Sequence, residues 1–136
     1  MRDIKYIVIH CTATSHNTKV TSIQRYWREV LGWKSPGYHH IVDAKGLIHD
    51  LQPIEKTTNG VAGFNAHSIH ISYIGGAKTD DRTPQQKAAL IYLVKKYKQM
   101  FPNAIVQGHR DFLKKGKPGW KDCPQFDAKK EYLITT

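Results

Sequence analysis

Two apolar, strand-like runs end in histidine, Tyr6-Ile7-Val8-Ile9-His10 and Ala104-Ile105-Val106-Gln107-Gly108-His109, and a cysteine follows inside Lys121-Asp122-Cys123-Pro124. Two imidazoles and one thiolate fill three corners of a tetrahedron and leave the fourth to water. That is the arrangement of catalytic zinc, whereas a closed structural site takes four protein ligands. One Zn2+ held by His10, His109 and Cys123 is therefore the expected cofactor. A lone histidine at a strand end is more often a satisfied polar residue than a ligand, but two at matching strand ends with a cysteine nearby favour a metal. The same three side chains also permit a rival chemistry, in which Cys123 is an acyl-transfer nucleophile and a histidine its base.

Other side chains extend the set. Lys121 stands two residues before Cys123, so in an extended segment both project to one side. Its ammonium would then face a reacting carbonyl and stabilise the oxyanion that forms there; the alternative is one more solvated lysine. Tyr38 offers a phenol able to orient water or an oxyanion, and its spacing leaves that role open. His39 and His40 point to opposite faces of their strand, so at most one shares a cleft with the site. His16, His49, His67 and His70 have no spacing that sets them apart from surface or core histidines, and Cys11, alternating away from His10, reads as a small buried hydrophobe.

The elements that must position these residues are legible. Thr21 or Ser22 caps a helix through Ile23, Trp27, Val30 and Leu31 that ends at Gly32. Tyr38–Val42 and Leu47–Leu51 flank Asp43-Ala44-Lys45-Gly46 as a hairpin. Residues 57–68 lack periodicity and form a loop able to wall a cleft, and a strand follows over Ile69–Ile74. Thr83-Pro84-Gln85-Gln86 is a capping box with proline at the first helical position, and its helix runs to about Met100. Pro102 ends that helix, the strand leading to His109 follows, and a short helix is expected between Phe126 and Leu133. The order strand, helix, hairpin, strand, helix, strand predicts an α/β fold with a central mixed β-sheet flanked by α-helices. In open sheets of this kind the working crevice lies beyond the carboxyl ends of the strands, where His10 and His109 both stand.

At 136 residues the chain suits a single domain, 1–136. Apolar residues make up 40% and charged residues 24%, ordinary globular usage without repeats or low-complexity tracts. No run approaches the ~18 apolar residues of a membrane span, and the first residues lack the pattern of a signal peptide. The expectations are no membrane insertion, a cytoplasmic location at synthesis and a monomer. Two cysteines cannot build a disulfide framework, and a Cys11–Cys123 bridge would consume the proposed thiolate. Lys and Arg number 21 against 11 acidic residues, a net charge of +10 that favours polyanions. No helix-turn-helix, RNA-binding sheet motif or paired-cysteine finger accompanies it, so an anionic cell envelope fits better than nucleic acid.

Four motifs in order, His10-Cys11-Thr12-Ala13-Thr14, Gly37-Tyr38-His39-His40-Ile41-Val42, Gly108-His109-Arg110-Asp111 and Lys121-Asp122-Cys123-Pro124-Gln125-Phe126-Asp127, resemble the type 2 N-acetylmuramoyl-L-alanine amidases, most closely the small phage endolysins. The resemblance covers nearly the whole chain. It implies zinc on His10, His109 and Cys123, with Tyr38 and Lys121 completing the catalytic set, in a fold shared with the peptidoglycan-recognition proteins. It also implies peptidoglycan as substrate and hydrolysis of the amide between N-acetylmuramic acid and L-alanine by a phage or prophage enzyme that reaches the wall after release. Non-catalytic members of the wider group lack the cysteine, so Cys123 favours hydrolysis over a peptidoglycan-binding module. Two positions depart from the pattern: Gly60 stands where many relatives have histidine, and His70 where they have glycine. Asp111 is a candidate to orient His109, or a turn residue.

Overall fold

The computed structural model describes residues 2–113 and 122–133. Five strands, β1 (Tyr6–Cys11), β2 (His40–Val42), β3 (Ile48–Asp50), β4 (Ser68–Tyr73) and β5 (Ile105–Gly108), form one sheet in the order β3-β2-β4-β1-β5. The β1–β4, β1–β5 and β2–β4 pairs are parallel and β2–β3 is the antiparallel hairpin, so the sheet is mixed, as expected. The helices are α1 (Val20–Arg25), α2 (Pro84–Met100) and α3 (Ala128–Glu131). No helix among the described residues is long and apolar enough to cross a membrane.

Strand alternation sorts the sheet into two faces. Ile7, Ile9 and Cys11 of β1 join Ile69, Ile71 and Tyr73 of β4 and Val106 of β5 in the main core, against Leu90, Leu93, Val94 and Tyr97 of α2. Each fully buried aliphatic side chain there contributes about 1.5–3 kcal/mol. The opposite face carries Tyr6, Val8 and His10 of β1 beside Ser68, His70 and Ser72 of β4, in the register Tyr6↔Ser68, Val8↔His70 and His10↔Ser72. A second, smaller cluster of Trp27, Ile41 and Ile74, joined by Ile23 and Tyr38, covers part of that face. One face is thus a core and the other a site.

The capping box at α2 forms as read. Thr83 Oγ1 accepts from the Gln86 backbone N–H at 3.1 Å, and Gln86 Oε1 accepts from Thr83 N–H at 2.9 Å. The Gln86 amide also donates to the carbonyls of Ile74 and Val42, at 2.9 and 3.3 Å, which pins the start of α2 to the ends of β4 and β2. The cap of α1 differs from expectation. Lys19 is the N-cap and makes no side-chain cap bond, and after Arg25 the chain widens into a π-helical turn over Tyr26–Val30. Helical spacing located that segment, and its Val20 and Ile23 pack against the cluster of Trp27, Ile41 and Ile74, long-range contacts that local capping preference does not encode.

Candidate metal centre

β1 and β5 are parallel neighbours, with Ile9 opposite Gly108, so His10 and His109 emerge from the same end of adjacent strands. His109 opens a 3-10 turn (His109–Phe112) rather than closing the strand. Cys123 reaches the same place through three contacts. The Arg110 N–H donates to the Cys123 carbonyl at 2.9 Å, the Tyr73 hydroxyl to the Pro124 carbonyl at 2.7 Å, and the Cys11 N–H to the Cys123 sulfur at 3.0 Å. Gly108 makes this approach possible, since a Cβ there would fall 2.6 Å from Pro124 Cδ. Behind the loop, the buried Arg82 guanidinium binds Asp80 at 2.8 Å and Glu131 of α3 at 2.7 Å. It also lies 3.4 Å from the centre of the Phe126 ring, fastening the segment that carries Cys123 to the body of the fold.

The result is one cluster. The ligand atoms of His10, His109 and Cys123 all lie within 4.8 Å of one another, with His10 buried and the other two half-buried. Two nitrogens and a sulfur at that spacing suit zinc, which binds them at about 2.0–2.3 Å. Cys11 and Cys123 are not joined by a disulfide. Cys11 is buried in the main core, as its alternation indicated.

Tyr38 joins the group. Its ring centre lies 4.8 Å from that of His10 and it packs edge-on against Trp27 at 5.4 Å. Burial, then the nearby Cys123, raises the phenol's pKa above its ordinary value, so at neutral pH it is an O–H donor. Beside it a cleft of about 420 Å3 is lined by Thr12, Thr14, Ser22, Tyr26, Trp27 and Tyr38. Lys121 lies outside the described residues. From Asp122 onward the chain turns, with Gln125 N–H donating to the Asp122 carbonyl at 2.7 Å. The Asp111 carboxylate accepts from Gly108 N–H at 2.8 Å, which is the turn role.

The residue that sequence reasoning missed is His70. Its Nδ1 lies 2.8 Å from His10 Nε2 and its Nε2 lies 2.8 Å from Asn65 Oδ1. Burial, then the neighbouring His39, His109 and Arg2, holds its pKa well below the usual histidine range. The signal lay in the two departures from the family pattern, which prove to be one feature. A Cβ on residue 60 would fall 2.3 Å from His70 Nδ1, so glycine at 60 is the space that the imidazole at 70 occupies. His39 and His40 do diverge. His39 stacks on His70 with ring centres 6.2 Å apart, whereas His40 lies on the opposite face with Asp50 at 2.8 Å and the Tyr97 hydroxyl.

A mixed sheet whose parallel strand ends gather two histidines and a cysteine beside a tyrosine is the architecture of an amidase domain. The family model described as N-acetylmuramoyl-L-alanine amidase matches residues 1–126, and the chain belongs to that family. It is 30% identical over 128 residues to the endolysin of Enterobacteria phage K11, covering 90% of this chain and 81% of that one. It is 27% identical to peptidoglycan-recognition protein SC1a of Drosophila melanogaster, over 85% of this chain and 68% of that one. Among solved structures, the Ph2119 endolysin from a Thermus scotoductus bacteriophage superposes with a TM-score of 0.76 at 26% identity, covering 91% of this chain and 79% of that one.

Proposed function

We propose that this chain is a zinc-dependent peptidoglycan hydrolase. It cleaves the amide between the lactyl group of N-acetylmuramic acid and the L-alanine of the stem peptide, and acts as a phage or prophage endolysin. The observation that carries the reading is the His10, His109 and Cys123 donor set within 4.8 Å, next to Tyr38, which also lines the neighbouring cleft, in a member of the amidase family. Zinc held by such a set supplies a water nucleophile near neutral pH and polarises a carbonyl.

The chain's own groups do the rest. The Cys11 N–H holds the Cys123 sulfur in place at 3.0 Å, so the thiolate is oriented before any ligand arrives. Tyr38, kept protonated, donates its O–H to the oxygen on which negative charge develops during attack at the amide carbonyl. Lys121 is the second donor in this reading, carried over from the family motif and placed outside the described residues. Threonines and aromatic rings lining the cleft beside Tyr38 offer hydroxyls for sugar and peptide groups and flat surfaces for sugar rings. The net charge of +10 concentrates the protein on an anionic envelope, an attraction that weakens as salt rises. The protein works as a monomer that reaches the wall after release from the cytoplasm.

Cys123→Ser tests the reading on purified sacculi. The wild-type protein should liberate free L-alanine amino termini and carry one zinc, and the variant should lose both while its circular dichroism is unchanged. Turnover that survives the substitution would reject Cys123 as a ligand. Muropeptide binding without release of amino termini would make the chain a binding module. Activity that tolerates chelators yet dies on thiol alkylation would make it a cysteine hydrolase.

A further inference from the structure

We propose that His70 is a positioning residue that fixes the tautomer of His10 and so selects the ring nitrogen His10 offers to the metal. This deepens the zinc reading above and rests on it. Asn65 sets the direction of the hydrogen bonds. Its Oδ1 accepts the backbone N–H of Val61 at 2.8 Å, and because a backbone N–H can only donate, that atom is the oxygen of the amide. His70 Nε2, 2.8 Å from the same oxygen, must then carry a proton and donate it. In a neutral imidazole the other nitrogen has a lone pair, so His70 Nδ1 accepts. Among the described residues its partner is His10 Nε2 at 2.8 Å, which must therefore be the protonated nitrogen of His10. The lone pair of neutral His10 is left on Nδ1, the atom by which this histidine would hold zinc.

The chain Val61 N–H, Asn65 Oδ1, His70 and His10 thus reads in one direction only. It does for His10 what a carboxylate or carbonyl does behind many metal-ligating histidines, but with a second imidazole as the acceptor. Three features hold the relay in place. Gly60 leaves the space that the His70 ring fills. The ring of His39 stacks on the ring of His70 and accepts the His70 backbone N–H on Nδ1 at 3.0 Å. Arg2 ties the loop down, donating to the Ile54 and Asn65 carbonyls at 2.9 and 3.0 Å. Position 60 is glycine for room rather than for backbone freedom, and positions 60 and 70 form one unit.

The test uses the whole chain, zinc-free and then titrated with zinc against a chelator of known affinity. Long-range 15N–1H spectra of the zinc-free wild type should show His10 as the Nε2–H tautomer. In His70→Ala they should show a mixture. Zinc affinity should fall about 10- to 100-fold in His70→Ala with the fold retained by circular dichroism. Gly60→Ala, which crowds His70 without removing it, should weaken zinc binding alone but add nothing in the His70→Ala background. A wild-type His10 protonated on Nδ1, or a His70→Ala zinc affinity within twofold of wild type, would overturn the proposal. A wild type that binds no zinc would overturn the metal reading instead, since the tautomer is read separately in zinc-free protein.

Discussion

Acid should destabilise this protein well above the range where carboxylates titrate, and His39 allows the effect to be worked out. The residue is fully buried. Its Nδ1 accepts the His70 backbone N–H at 3.0 Å, and its Nε2 faces the Lys56 carbonyl at 2.7 Å. That pair of partners requires the neutral ring with its proton on Nε2. A second proton on Nδ1 would break the bond from His70 and set two donors against each other. Burial, with a smaller push from Arg2 and against the pull of the Lys56 carbonyl, lowers the pKa to about 4. Because the folded pKa lies below the unfolded value near 6.5, the unfolded chain binds more protons between the two. Stability is therefore present above about pH 6.5 and is lost as pH falls toward 4. About 2.5 pH units at roughly 1.36 kcal/mol each amount to about 3 kcal/mol, a large share of a typical 5–15 kcal/mol total. His40 and His70, also held low by burial, steepen the loss. Replacing His39 with asparagine keeps a side-chain oxygen to accept the His70 N–H but removes the titration. In urea unfolding followed from pH 7 to pH 4, the variant should lose about 3 kcal/mol less than the wild type over that interval. Identical slopes for the two proteins would refute the reasoning.

Tyr38→Phe should lower kcat about 100- to 1,000-fold, the usual cost of one oxyanion donor, while zinc content measured by atomic absorption stays at the wild-type level. Arg82→Leu strands Asp80 and Glu131, but both carboxylates reach water. The expected loss is therefore about 2 kcal/mol rather than the about 3–5 of a fully buried pair. Zinc competition should also show weaker binding in that variant, because the Cys123 segment is no longer anchored. Thr83→Ala removes the cap of α2 and should cost about 1 kcal/mol in chemical denaturation, with kcat unchanged.

The local language of the chain was enough for most elements. Alternation marked β1, β4 and β5, and the Thr83 capping box with Pro84 located the start of α2. Helical spacing found α1, although not its cap. Residue type and order along the chain also marked His10, His109 and Cys123 as candidate ligands, because a thiolate and two imidazoles have few other uses in common, while Tyr38 entered the set through the family resemblance. What local pattern could not supply was anything set by approach across the sheet. Strand order makes β1 the neighbour of both β4 and β5, and only that adjacency brings residues 10, 70 and 109 together. His70, one of several histidines indistinguishable by spacing, becomes the partner of His10 because parallel register sets it beside Val8 on the same face. Gly60, a loop residue with no periodicity around it, becomes necessary because an imidazole from another strand fills the volume its side chain would need. Chemical identity is a property of single residues and can be read along the chain. Tautomer, orientation and available space depend on neighbours that are distant in sequence, and those exist only once the sheet has closed.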